Sequence, residues 1–89
     1  MDIPPCFNNM TYAFNQDFLI IYKTREDVLA AAVRIVPHSE RAELSAYLDR
    51  LLAAGPDVCD DVWNRSASAV FIRPVEDLVT LLRDIRARL

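Results

Sequence analysis

The sequence predicts a mainly α fold, a compact bundle of about four to five helices. It leaves room for a minor two-stranded β ribbon pairing residues 18–22 with 69–72. Three observations carry this prediction. Apolar residues recur at helical spacing in most segments, and helix-starting and helix-stopping residues separate those segments in the right order. Only two runs, Phe18-Leu19-Ile20-Ile21-Tyr22 and Ala69-Val70-Phe71-Ile72, are short, apolar and rich in β-branched or aromatic side chains.

Pro4-Pro5 stiffens the entry, and Phe7, Met10 and Phe14 then recur at i, i+3 and i+7, which predicts a helix over about residues 6–14. Asn8 and Asn9 oppose it, being poor helix formers. Next, Tyr12-Ala13-Phe14-Asn15-Gln16-Asp17-Phe18 gathers three aromatics and three polar side chains. Asn, Gln and Asp bond nearby backbone groups, so the stretch suits a tight junction, with Asp17 as a local acceptor holding the first helix to the extended run.

Thr24, followed three residues later by Asp27, predicts a capped helix start. Val28, Leu29, Ala32, Val33 and Val36 give its stripe, and Pro37 ends it. Ser39 is the candidate cap of the next helix, whose stripe is Leu44, Tyr47, Leu48, Leu51 and Leu52. With only Pro37 and His38 between them, these two helices are expected to pair as an antiparallel hairpin.

Gly55-Pro56 is a stop signal, with the sole glycine expected in the left-handed conformation that closes a helix. Asp57 is then the candidate cap of a shorter helix through Val58, Val62 and Trp63. Residues 65–68 form a polar connector to the second extended run. Pro74 fits the first turn of a last helix with the stripe Val75, Leu78, Val79, Leu82, Ile85 and Leu89. Its early acids, Glu76 and Asp77, and late arginines, Arg83, Arg86 and Arg88, complement the helix dipole, and Asp84 with Arg88 is an i, i+4 pair.

With 89 residues the chain is expected to form one domain, residues 1–89, around one core. No apolar run approaches the ~20 residues of a membrane span, so no membrane association is expected. The net charge of −3 disfavours direct binding of nucleic acid and suits a basic protein partner. Cys6 and Cys59 fit no metal-ligand spacing. The first residues lack the basic flank and apolar stretch of a secretion signal, so a reducing cytoplasmic setting is expected.

The residues point away from an enzyme, and no cofactor or metal is expected. One glycine cannot build a phosphate-cradling loop. The single histidine, His38, belongs to a turn, and no second ligand is spaced to face it. Asp57, Asp60 and Asp61 surround Cys59 and would raise its pKa, opposing thiol catalysis. These acids serve the first turn of a helix, or form an acidic patch with Trp63 as aromatic anchor, which Glu40 and Glu43 would extend if the two helix starts lie close. Arg83, Arg86 and Arg88 are expected to be a solvated face.

Tyr12-Ala13-Phe14-Asn15-Gln16-Asp17-Phe18, the helices after Asp27 and around Leu44/Leu48/Leu51, and the terminal Leu81-Leu82-Arg83-Asp84-Ile85-Arg86-Ala87-Arg88-Leu89 together resemble a family of small helical immunity proteins. These belong to bacterial contact-dependent growth inhibition systems. In that family an aromatic, Gln-Asp and a second aromatic recur near the N-terminus, so Tyr12, Phe14, Gln16, Asp17 and Phe18 stand as the signature here. The family often carries a Gly-Cys-Tyr-Tyr-like segment where this chain has Ala69-Val70-Phe71-Ile72. The resemblance implies a cytoplasmic antidote that binds, one to one, the toxic C-terminal domain of an effector, often a nuclease. Toxin-contacting residues differ between members, so none is carried over. The alternative expectation is a helical regulatory or scaffolding subunit, without catalytic activity, that self-associates through surplus apolar surface such as the Leu81 flank of the last helix.

Overall fold

A computed structural model of the chain describes residues 1–15 and 24–89, and the fold is mainly α. Among the described residues five α-helices follow in order: α1 (Pro5–Thr11), α2 (Arg25–Arg34), α3 (Arg41–Ala54), α4 (Pro56–Arg65) and α5 (Val75–Ala87), with a 3₁₀ turn, His38–Glu40, before α3. The radius of gyration, 11.8 Å, sits beside the ~12 Å expected of a packed chain of this length.

Helix α2 starts as its sequence dictates. Thr24 is extended at the N-cap, and its hydroxyl accepts the backbone N–H of Asp27 at 3.1 Å. The other starts differ from expectation. Ser39 does not cap α3; it lies inside the 3₁₀ turn, where the Glu40 N–H bonds back to the Pro37 carbonyl at 2.9 Å. Asp57 does not cap α4 either, because Pro56 occupies the first helical position and needs no N–H partner there.

Gly55 explains the sharp joint between α3 and α4. It closes one helix and opens the next, its N–H bonding Leu52 and its carbonyl accepting from Cys59. Its φ of 104° is positive as expected, but ψ of 168° takes it out of the left-handed helical well into an extended region open essentially to glycine alone. A continuing helical stop would not turn the chain back sharply enough for a helix to begin at the next residue.

The core is built where the stripes meet. Helices α3, α4 and α5 pack on one another, α1 packs against α3 and α2, and α2 lies on α5. Leu44, Leu48 and Leu51 of α3 face Leu78, Leu82 and Ile85 of α5 in one continuous buried cluster. Helices α2 and α3 therefore do not pair as the expected hairpin. Pro37 and the 3₁₀ turn redirect the chain, and Arg41 secures the corner by donating to the carbonyls of Val33 and Val36 at the end of α2. The last stripe is also rotated slightly: Leu81 is buried, while Val75, Val79 and Leu89 are half-buried.

The first helix ends at Thr11, three residues short of expectation. Phe14 lies in the following turn, yet it is buried against Trp63 with ring centroids 4.9 Å apart at 73°. Trp63 also meets Phe7 edge-on at 6.5 Å, and its indole N–H donates to the Val70 carbonyl at 3.0 Å. Residues 66–70 are fixed by side chains and one backbone bond instead of a ladder: Asn8 accepts the Ala67 N–H, Ser68 bonds both polar groups of Val70, and the Ala69 N–H donates to the Phe14 backbone carbonyl. Ala69-Val70-Phe71-Ile72 thus forms no strand among the described residues. Its expected partner, residues 18–22, and the Gln16, Asp17 and Phe18 of the signature lie outside them.

Two measurements of urea unfolding check these joints. Gly55→Ala should cost about 1–3 kcal/mol, although an added Cβ would meet nothing within 4 Å; D-alanine at the same position, introduced by synthesis, should cost far less. An unchanged Gly55→Ala would show that the backbone there is not constrained. Trp63→Ala should cost about 3–5 kcal/mol, and Trp63→Phe, which removes the N–H donor and part of the ring, about 1–3 kcal/mol. Equal losses for the two would mean that the hydrogen bond to Val70, not ring packing, dominates.

Candidate functional site

The charged side chains divide unevenly between internal tasks and the open surface. Five arginines form ion pairs: Arg25 with Asp84 at 2.7 Å, Arg88 with Glu26 at 2.6 Å, Arg86 with Asp49 at 2.9 Å, Arg73 with Asp60 at 2.7 Å and Arg65 with Asp61 at 2.8 Å. The expected Asp84 to Arg88 pair within α5 is not made. Both residues reach across to the first turn of α2, where Arg25 and Glu26 offer opposite charges in matching order. The Arg88 guanidinium, through its hydrogen bond and charge, holds the Glu26 carboxyl below its ordinary range.

Two further arginines are engaged without a carboxylate. Arg41 holds the end of α2, as above, and Arg50 lies over the Tyr47 ring at 5.7 Å. Arg65 additionally donates to the Met1 carbonyl, and the Tyr47 hydroxyl to the Asp2 carbonyl at 2.9 Å, so the N-terminal residues are tied to α3 and α4. Arg86 and Arg88 are thus helix-to-helix links and not the simple solvated face expected of the last arginines.

Asp57, Asp60 and Asp61 lie within about one turn of α4; Asp60 and Asp61 are paired and Asp57 is exposed with no ion pair among the described residues. Trp63 is 1% exposed, so it is a core residue and no surface anchor. Glu40 and Glu43 stand at the start of α3, whereas α4 starts beyond its end; a 14-residue helix separates the two starts by about 20 Å. The condition for joining the two groups is not met. Glu43 instead faces Cys6 of α1.

Both thiols are buried and free. Burial, followed by the hydrogen bond to the Glu43 carboxylate and its charge, pushes Cys6 from 9.0 up to about 12. Burial also raises Cys59, whose sulfur donates to the Leu51 carbonyl at 3.4 Å. The expected direction at Cys59 is right, but desolvation is its leading cause and the neighbouring aspartates are not. A neutral buried thiol is a packing group, not a nucleophile. His38 is exposed in the 3₁₀ turn, and its carbonyl accepts the backbone N–H of Arg41.

One surface feature escaped the sequence reading. Phe71 is 76% exposed, while its neighbours Val70 and Ile72 pack against the core. The signal was present: in an extended segment alternate side chains point to opposite sides, so a run with Val70 and Ile72 inward puts Phe71 outward. Tyr12, from the signature stretch, is also exposed at 58%. No helix among the described residues is long and apolar enough to cross a membrane.

The Cys6 environment predicts a pH dependence. A thiol whose folded pKa is raised contributes stability that is complete below its unfolded value and is lost as pH climbs toward the folded one, here between about 9 and 12. The urea midpoint should fall across that window, and Cys6→Ala should flatten part of the fall; Cys59 and Tyr47, shifted in the same direction, keep the remainder. An identical slope in Cys6→Ala would contradict this assignment. No protein-family model, curated protein or solved structure matches this chain.

Proposed function

We propose that this protein is a toxin-neutralising immunity protein of the contact-dependent growth inhibition type. It acts in the bacterial cytoplasm, binding the toxic C-terminal domain of an effector one to one and blocking it. A nuclease domain is the toxin class its charge complements best.

One observation carries the proposal: among the described residues only Arg34 and Arg83 of the arginines are left without a partner group, while Asp2, Asp27, Glu40, Glu43, Asp57, Glu76 and Asp77 have no ion pair, so carboxylates are left in surplus. Arg25, Arg65, Arg73, Arg86 and Arg88 are held by acids, and Arg41 and Arg50 by carbonyls and a ring. The outward field is therefore acidic. A nuclease attracts phosphates with cationic groups, and an acidic inhibitor is drawn to the same groups, which speeds encounter and fixes orientation. The alternative of a self-associating subunit loses its named example of surplus apolar surface, since Leu81 is only 7% exposed.

The test is coexpression with the C-terminal domain of the protein encoded immediately upstream. The expected results are restored growth of cells making that domain and a 1:1 complex by light scattering. Growth arrest despite expression of this chain, with no complex formed, would overturn the proposal.

A further inference from the structure

We infer that the toxin-facing surface is centred on Phe71 and takes a basic, arginine- or lysine-bearing segment of the partner protein. Phe71 stands outward from a segment whose backbone is pinned by Ser68, Trp63 and Phe14, so the ring is presented from a fixed base. Ile72 beside it runs into a shallow groove lined with Leu81, Thr80, Asp77 and Arg25.

The surrounding charge selects the occupant. Glu76 and Asp77 are exposed in the first turn of α5, directly beyond Pro74, and neither has an ion pair among the described residues. Arg73 is neutralised by Asp60 of α4, and Asp57, one helical turn before Asp60, is exposed and has no ion pair among the described residues. Arg25, at the far side of the groove, is neutralised by Asp84. An exposed aromatic ring on a segment that leads directly into the uncompensated Glu76 and Asp77 disfavours phosphates and acidic segments. It accepts a guanidinium or ammonium over its face, and a second basic side chain of the same segment reaches the Ile72 groove beside Asp77.

Glu40 and Glu43, at the start of α3, lie about a helix length from the α4 start and belong to the Cys6 contact.

This inference rests on the toxin-binding reading for the partner's identity, so two probes separate them. The first is a synthetic peptide alternating arginine and leucine, titrated into the isotope-labelled full chain and followed by amide shifts. The largest changes should fall at residues 71–77 and vanish in Phe71→Ser, whose exposed position leaves the fold intact. Absent binding, or changes centred on Glu40 and Glu43, would overturn the surface assignment.

The second probe is the toxin domain itself. Phe71→Ser should weaken its binding about thirty-fold, and Asp57→Lys with Glu76→Lys and Asp77→Lys should slow association about ten-fold or more. If wild type binds toxin and these variants bind equally, the surface falls and the function stands. If the peptide maps to Phe71 but toxin does not bind, the function falls and the surface stands. Dimers of the free chain that dissolve in Phe71→Ser would assign the ring to a second copy and overturn the inference.

Discussion

Trp63 occupies the place where otherwise weakly connected parts of this chain meet. Its ring meets Phe7 of α1 and Phe14 of the turn beyond, and its N–H is satisfied by the Val70 carbonyl. An unpaired indole N–H in a core this dry would be costly, so the position of residues 66–70 is tied to the position of the ring. That tie matters because the segment has no ladder of its own. Its order comes from Trp63, Asn8 and Ser68, and the exposure of Phe71 follows from theirs.

A second layer of constraint is electrostatic. Exposed ion pairs contribute little one at a time, and those between α2 and α5 or α3 and α5 are at least a third exposed on each partner. Their larger consequence is for the field outside. Each pair removes a cation from the surface together with an anion, in a chain that has 13 acids and 10 lysines and arginines. Pairing thus leaves, among the described residues, unbalanced carboxylates at the starts of α2, α3, α4 and α5 against the unpaired Arg34 and Arg83. Those at the start of α5 follow closely in sequence on the exposed Phe71.

Much of the helix content was legible because the signals were local. Thr24 with Asp27, the Leu44 to Leu51 stripe, Gly55-Pro56 and the late stripe through Leu82 and Ile85 depend on residues within a turn or two of each other. What failed depended on direction. Residues at Pro37-His38 do not state whether a short link folds back or turns a corner, and the 3₁₀ turn chose the corner. Asp84 and Arg88 looked like partners along one helix, but the N-terminal turn of α2, invisible in the local pattern, offered both a better match. Trp63 was misplaced as an anchor for the same reason: an aromatic among aspartates reads as surface until Phe7, Phe14 and Val70 close over it. Phe71 was the converse, an apolar residue in an apolar run whose outward position required knowing that Val70 and Ile72 face the core.

The central claim is that surplus carboxylates bring this protein to a basic partner, and its most direct measurement is the rate of association with the upstream toxin domain as a function of salt. Attraction between an acidic and a cationic surface is screened as the Debye length shortens from about 30 Å at 0.01 M to about 8 Å at 0.15 M. The association rate should therefore fall steeply across that range while dissociation changes little. An association rate that does not respond to salt would contradict the claim.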